Sequence, residues 1–171
     1  NLLHEDIDWA DLSMIYEDAF YGCAGLETVD FSNTKTITIA HRAFMDCTSL
    51  TEVVDMPSVG TMHHYAFANT ALISVDLTGL HMSGSYVFAN CEQLTEIKTG
   101  KFTAIGEYMF YGCTGLRSEI TLSTQKIGNG AFYDCMNLTG VTFDSKGENI
   151  KYSIGSYAFA NCGSKRYYRR S

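Results

Sequence analysis

The sequence predicts a solenoid of stacked coils, built mainly from parallel β-strands, and three observations support this prediction. An eight-residue motif, seen first at residues 19–26, recurs in seven copies along the chain. An alternating apolar pattern, typical of a half-buried strand, follows most copies. The composition, with 46% apolar and 18% charged residues over 171 positions, is that of a folded chain long enough to bury a core.

The motif returns at nearly constant intervals. Its seven phenylalanines are separated by 24, 23, 21, 22, 22 and 27 residues, which lies within the range of leucine-rich repeats. We therefore expect about seven units of roughly 23 residues, partial at both ends, within a repeat domain at residues 1–163 that is followed by a basic tail at residues 164–171. The phenylalanines that define the repeat are Phe20, Phe44, Phe67, Phe88, Phe110, Phe132 and Phe159.

A cysteine stands three positions after six of these phenylalanines, and Thr70 takes that position in the third unit. Side chains at one position of stacked coils lie about 5 Å apart, which exceeds the Cβ–Cβ separation of a disulfide. We therefore predict buried free thiols rather than the disulfide framework that six cysteines also allow. No Cys-x-x-Cys pair is present to chelate zinc. The cysteines are Cys23, Cys47, Cys91, Cys113, Cys135 and Cys162.

The segment after each motif has the pattern of a strand. Apolar residues recur at every second position, as at Val29 and Phe31. A shorter apolar pair, such as Ile37 and Ile39, predicts a second short strand or turn in each unit. We place the main strands at about residues 28–31, 52–54, 74–77, 96–98, 119–122 and 140–143.

The motif segments themselves are too short for a stable isolated helix. We expect each to form one or two turns of α-helix or 3₁₀-helix that end near the Gly or Asn before the cysteine. Because one coil cannot bury its own apolar face, equal positions must stack on one another. The predicted fold class is a leucine-rich-repeat solenoid, mainly parallel β with short helical or 3₁₀ turns, wound into a curved right-handed superhelix.

Two runs carry the complete repeat pattern, Ile-Gly-Glu-Tyr-Met-Phe-Tyr-Gly-Cys at residues 105–113 and Ile-Gly-Ser-Tyr-Ala-Phe-Ala-Asn-Cys at residues 154–162. With the pattern Ala-Phe-x-x-Cys-x-x-Leu-x-x-Val, they resemble the BspA-like, or Treponema-type, leucine-rich repeats over roughly residues 8–163. The strand-end proline common in that family occurs only once here, as Pro57. The resemblance implies a cell-surface or secreted bacterial or protist protein that mediates adhesion to host matrix proteins or other cells.

The charge distribution limits the class of partner. Residues 165–170 hold four of the twelve basic residues, which leaves eight basic and nineteen acidic residues in the rest of the chain, a net charge of −11. Such a field repels a polyanion, so nucleic acid is not an expected partner. No apolar run reaches the roughly 18 residues of a membrane span. We expect a monomer that binds proteins.

The outward positions of the predicted main strands form a mainly acidic surface, which we call the strand face. A solenoid presents a long regular surface, which suits protein recognition better than a small-molecule pocket. Stacked carboxylates can attract a basic partner, whereas the alternative is a solvated strand surface without a ligand. The residues of the strand face are Thr28, Asp30, Glu52, Ser74, Asp76, Glu96, Lys98, Glu119 and Thr121.

Catalytic and metal sites have little support in the sequence. His41 and His64 occupy one position of adjacent units, where stacked imidazoles would suit a transition metal, but other units place Glu, Ser or Asn there. No nucleophile elbow or phosphate loop occurs, so we predict no enzyme and no cofactor. The expected function is an adhesin-type protein-binding domain, and the alternative is a structural spacer without its own ligand.

Overall fold

Two series of short parallel strands run through the coils of the computed structural model, which describes residues 9, 12–100, 104–117, 119–143, 152–163 and 166–169. The main strands are β2 (Thr28–Asp30), β4 (Glu52–Val54), β6 (Ser74–Leu77), β8 (Glu96–Thr99), β9 (Glu119–Leu122), β11 (Gly140–Phe143) and β13 (Arg166–Arg169). The second strands are β1 (Met14–Ile15), β3 (Ile37–Ile39), β5 (Val59–Met62), β7 (Met82–Ser83), β10 (Lys126–Ile127) and β12 (Ser153–Ile154).

The parallel β-solenoid predicted from the sequence is confirmed, and the main strands β2 to β11 lie at the predicted positions. Their register joins equal positions of successive coils, so that Val29 pairs with Val53 and Val75 with Ile97. In a strand a shift by one residue would turn every apolar side chain outward. The constant register therefore keeps the apolar residues in columns inside the coil.

Strand β13 lies within the predicted basic tail. It pairs in parallel with β11, with Tyr167 opposite Val141, and extends the sheet β9–β11 by one strand. Residues 166–169 thus stand where the main strand of a further coil would stand. The other residues of the predicted tail, 164, 165, 170 and 171, lie outside the described residues.

The second strands line a different side of the coils. Strands β1, β3, β5 and β7 form one parallel sheet, and β10 pairs with β12. Between these two sheets, Ile105 forms a single parallel bridge with Ile127. The apolar pairs predicted for the second half of each unit therefore do form short strands or bridges.

The motif segments form turns and not the predicted helical pieces. In the first copy the Tyr21 N–H donates to Asp18 O of its own turn, whereas the next N–H, of Gly22, donates to Met45 O of the following coil. Asp18 and Gly22 have positive φ, 59° and 67°. Left-handed residues interrupt a right-handed helix, and the alternating bonds make each turn a ladder between coils.

Helix is confined to one short segment in the part of the chain that the structure describes. This 3₁₀ turn, Met56–Ser58, follows β4 and begins at Asp55, whose φ is 55°. Within the same residues, no helix is long and apolar enough to cross a membrane.

The motif phenylalanines form one stacked column in the core. Phe44 and Phe67 lie 5.0 Å apart between ring centroids with nearly parallel planes, and Phe110 and Phe132 lie 5.1 Å apart. The five central phenylalanines are completely buried, whereas Phe20 and Phe159 are partly buried. Burying a side chain of this size stabilises the fold by about 1.5–3 kcal/mol. The inward positions therefore build the solenoid, and the surfaces between them remain for binding.

Candidate functional site

The strand face follows the outward positions of the main strands, which form three separate parallel sheets, β2–β4, β6–β8 and β9–β11–β13. Within it the parallel register places Thr28 beside Glu52 and Ser74 beside Glu96. Exposed members extend from β4 to β9, while three members near the strand ends are half-buried. The exposed residues are Glu52, Ser74, Glu96, Lys98, Glu119 and Thr121, and the half-buried residues are Thr28, Asp30 and Asp76.

Two aspartates of the strand face bond to the turns that follow their own strands. Asp30 Oδ1 accepts hydrogen bonds from the Ser32 N–H and hydroxyl, at 2.8 and 2.6 Å. Asp76 Oδ1 accepts the same pair from Thr78, at 3.0 and 2.6 Å. These are Asx turns, in which the carboxylate satisfies the backbone as the chain leaves the sheet. Asp30 and Asp76 therefore have a structural role that the sequence analysis did not identify.

Part of the negative charge of the strand face is neutralised by a neighbouring lysine. Lys98 Nζ lies 2.6 Å from Asp76 Oδ2 in the adjacent coil. Burial alone would raise the pKa of Asp76, but the hydrogen bonds from Lys98 and Thr78 outweigh burial and lower the pKa. Asp76 thus stays ionised and paired, and contributes little field toward a partner.

The remaining carboxylates of the strand face differ in their bonding. Glu119 Oε1 accepts a hydrogen bond from the Thr142 hydroxyl in the next coil. By contrast, the side chains of Glu52 and Glu96 make no hydrogen bond or ion pair with any described residue. Both side chains are exposed. Glu52 and Glu96 are therefore the carboxylates most available to a basic partner.

A groove that was not predicted runs along the second strands from β5 to β12. Its volume is about 580 Å³, and its floor is a column of glycines at 84, 106, 128 and 155. A Cβ at Gly84 would lie 2.5 Å from His64 N, so only glycine allows the coils to approach this closely. The repeated Ile-Gly pair was the sequence signal for this close approach. His63, His81 and Lys126 lie on its rim.

The histidines at one end of this groove stack on one another. The His41 ring lies 5.1 Å from His64 and 4.9 Å from His63. His64 Nδ1 accepts the Ser85 N–H at 2.9 Å, so a neutral His64 carries its proton on the other nitrogen and has no lone pair for a metal. In the described parts of the chain, no three His, Cys, Asp or Glu side chains are grouped for metal binding.

The six cysteines are free thiols, of which four are buried as predicted and Cys23 and Cys162 are half-exposed. Thiols of this column donate to backbone carbonyls at Cys47, Cys91, Cys113, Cys135 and Cys162. Cys113 donates to Phe88 O and Cys135 to Phe110 O, each at 3.1 Å. The Thr70 hydroxyl fills the same position and donates to Phe67 O at 2.9 Å. Burial raises the pKa of Cys91 to about 11. A buried, protonated thiol is a poor nucleophile, so the column has a structural role.

The repeat sequence itself matches a known family. A profile of the BspA type leucine-rich repeat region matches six copies, over residues 13–139 and 103–168. A search of curated proteins finds no match.

Three solved structures share the fold. A leucine-rich repeat protein of T. pallidum is 24% identical with a TM-score of 0.71, over 92% of this chain and 73% of its own. One from Bacteroides ovatus is 18% identical with a TM-score of 0.52, over 94% of this chain and 60% of its own. A leucine rich cell surface protein of Faecalibacterium prausnitzii is 22% identical with a TM-score of 0.55, over 89% of this chain and 44% of its own.

Proposed function

Because the chain belongs to the BspA-type leucine-rich repeat family, we propose that it is an adhesin-type, protein-binding domain of a cell-surface or secreted protein. Leucine-rich repeats are scaffolds for protein–protein interaction, since stacked units present an extended regular surface. The F. prausnitzii structure with the same fold is described as a cell surface protein, which supports this location. The proposed partners are host matrix proteins or proteins on other cells.

The observation that carries this proposal is the pair of unpaired carboxylates on the strand face. Glu52 and Glu96 are exposed, Glu52 on the sheet β2–β4 and Glu96 on the separate sheet β6–β8 two coils further on. A rigid surface with aligned carboxylates suits a basic protein surface, because complementary charges accelerate encounter and fix orientation. We propose that the chain binds as a monomer, since one chain supplies the whole strand face.

The second candidate function is a spacer that holds another domain away from the cell. The bonds of Asp30, Asp76 and Glu119 favour it, because these carboxylates are engaged by the solenoid itself. A spacer needs a stiff, well-bonded surface and no ligand. The two candidates therefore differ in whether the strand face binds a protein.

Binding to immobilised matrix proteins separates the two candidates. The test compares the wild-type chain with the double variant Glu52→Lys/Glu96→Lys, which reverses the two unpaired charges. We expect the wild type to bind and the double variant to bind at least about tenfold more weakly, because close charge pairs at interfaces contribute more than 1.4 kcal/mol.

The matched control is Glu17→Lys/Glu92→Lys, which changes the net charge equally at exposed positions off the strand face. It should retain affinity within about twofold, a small effect on the affinity scale. Equal losses in both double variants would indicate a non-specific charge effect. Failure of the wild type to bind any matrix protein or cell surface would favour the spacer.

A further inference from the structure

A row of tyrosines covers the edge of the solenoid formed by the motif turns. Tyr65, Tyr86 and Tyr108 each stand two residues before a motif phenylalanine, in three successive coils. The rings of Tyr65 and Tyr86 lie 5.0 Å apart at 7°, and those of Tyr86 and Tyr108 lie 4.8 Å apart at 3°. The three rings therefore form one stack outside the core.

Two more tyrosines join this stack from the position after the phenylalanine. The Tyr111 ring stands edge-on to Tyr86 at 6.3 Å and to Tyr108 at 6.4 Å. Tyr133 in the next coil stacks on Tyr111 at 5.9 Å. The five rings are contiguous, and we call Tyr65, Tyr86, Tyr108, Tyr111 and Tyr133 the tyrosine surface.

The backbone holds these rings in place. Tyr65, Tyr86 and Tyr108 have φ of 59°, 60° and 50°, a region that bulky residues rarely adopt. In the next coil the same position is Gly130, and a Cβ there would overlap the Tyr108 ring. The same position has positive φ in the other coils, at Asp18, Arg42 and Tyr157, so the motif turn imposes this conformation. The turn therefore places the tyrosine rings in one row along the solenoid.

The surroundings of the tyrosine surface are acidic. Glu107 precedes Tyr108 and Asp134 follows Tyr133, whereas residues 64–70, 85–91, 107–113 and 129–135 contain no Lys or Arg. Burial raises the pKa of Tyr86, and the neighbouring tyrosines and Glu107 raise it further. None of the five phenol hydroxyls bonds to another described residue. The surface therefore offers hydroxyls and carboxylates, and the arginine at the same position of the preceding coil, Arg42, is paired with Glu17 and Asp18.

We propose that the tyrosine surface binds an arginine-bearing segment of a partner protein. A guanidinium group is planar and donates several hydrogen bonds, which suits the hydroxyls and carboxylates of this cluster, whose ring faces pack against one another. Tyrosine is also enriched among the interface residues that contribute most of the binding energy, because it offers a large contact area with few rotatable bonds. This site is separate from the strand face and does not depend on the adhesin role.

Titration of the whole chain with synthetic peptides tests this proposal. The probe is a short peptide of alternating Arg and Ser, and the comparison is the same peptide with Lys in place of Arg. We expect the Arg peptide to bind about three to ten times more tightly in calorimetry, because the guanidinium donates hydrogen bonds to hydroxyls and carboxylates in a planar array, whereas the Lys ammonium is a point charge.

The chain supplies a matched pair of variants. Tyr86→Ala removes the central ring of the stack, and Tyr157→Ala removes a tyrosine at the same motif position that is 71% exposed and outside the cluster. We expect Tyr86→Ala to weaken binding of the Arg peptide about tenfold and Tyr157→Ala to change it less than about twofold, in line with aromatic anchors at interfaces. Circular dichroism checks that both variants fold.

Tyr86→Phe and Glu107→Gln keep the proposal testable if Tyr86→Ala does not fold. Tyr86→Phe retains the ring but removes the hydroxyl, and Glu107→Gln removes the adjacent charge. Each variant should therefore weaken binding of the Arg peptide about two- to fivefold, which is the size of one exposed polar or cation contact. Unchanged affinity in both, equal affinity for the Arg and Lys peptides, or equal losses in Tyr86→Ala and Tyr157→Ala would overturn the proposal.

Discussion

The interior coils and the end coils use the same motif with different results. Phe88 stacks between Phe67 at 5.7 Å and Phe110 at 5.5 Å and is completely buried. Phe159, in the last motif, stacks on Phe132 at 5.2 Å and stays partly buried. The burial of a motif residue is therefore supplied by the two neighbouring coils and not by its own coil.

The same difference is seen in the cysteine column. Cys91 and Cys113 are buried, whereas Cys23 and Cys162 are half-exposed. In the first motif, Trp9 contributes to the packing of Phe20, because the two rings lie 5.5 Å apart. We therefore expect substitutions to cost more in the middle of the solenoid than at its ends, and variants at equal positions test this.

The largest expected effect is on the phenylalanine column. Phe88→Ala should lower the free energy of unfolding by about 3–5 kcal/mol, because it leaves a cavity bounded by rings on both sides. Phe20→Ala should cost about half as much, since the ring is already partly exposed. Urea denaturation measures both, and equal losses would mean that the end coils are packed as tightly as the interior.

The glycine positions offer the next contrast. Gly106→Ala should cost about 3 kcal/mol, because a Cβ there would overlap the Gly84 carbonyl of the preceding coil, where backbone cannot move aside. Gly22→Ala should cost only about 1 kcal/mol, which is the cost of holding alanine at a φ of 67°. Packing adds no further cost, because the added Cβ meets no other atom within 4 Å. Thermal unfolding of the two variants gives the comparison. A larger loss for Gly22→Ala would show that backbone conformation outweighs coil contact.

A smaller effect should appear when the interior thiols titrate. Burial raises the pKa of Cys91 to about 11, whereas an unfolded thiol has a pKa of about 8.5. As the pH rises above 8.5 the unfolded chain loses this proton first, so the free energy of unfolding falls by up to about 1.4 kcal/mol per pH unit until the folded thiol also ionises.

Cys91→Ala removes this titration. Its free energy of unfolding should therefore fall less steeply than that of the wild type between pH 8.5 and about 11, by up to about 1.4 kcal/mol per pH unit. Urea unfolding at several pH values provides the two slopes. Identical slopes would mean that the Cys91 thiol ionises equally in the folded and unfolded chain.

The smallest effect is expected on the strand face. Lys98→Ala removes the ion pair with Asp76, in which the lysine side chain is 64% exposed. Exposed ion pairs contribute about 0–1 kcal/mol, so we expect a loss of about 0.5 kcal/mol or less in urea denaturation. A loss above about 2 kcal/mol would show that this pair is part of the core architecture, contrary to the division between inward columns and outward surface.

Much of the fold was predictable because one register repeats. Phe, Cys and alternating apolar residues each recur at one spacing, and a parallel stack is the arrangement that buries all three at once. The main strands followed from the alternation, as at Val75 and Leu77 in β6. The residues of the strand face followed from the same alternation, since neighbours of buried positions point outward.

The turns and the additional surfaces were not predictable from propensity. Tyr86 at a φ of 60° contradicts the usual preference of aromatic residues, and the motif turn imposes it, since Asp18, Arg42 and Tyr157 have similar φ at the same position. Strand β13 was missed because Arg166 and Arg169 flank two tyrosines without apolar alternation. The Asx turns of Asp30 and Asp76 could not be predicted, because their prediction requires knowing the residue at which each strand ends.

The most direct test of the functional account is carboxylate footprinting of the chain bound to a matrix protein. Water-soluble carbodiimide labels exposed carboxylates, and mass spectrometry compares labelling in the free and bound chain. We predict that binding protects Glu52 and Glu96 on the strand face and leaves the exposed Glu17 and Glu92 unchanged. Full labelling of Glu52 and Glu96 in the complex would contradict the assignment of the strand face as the protein-binding surface.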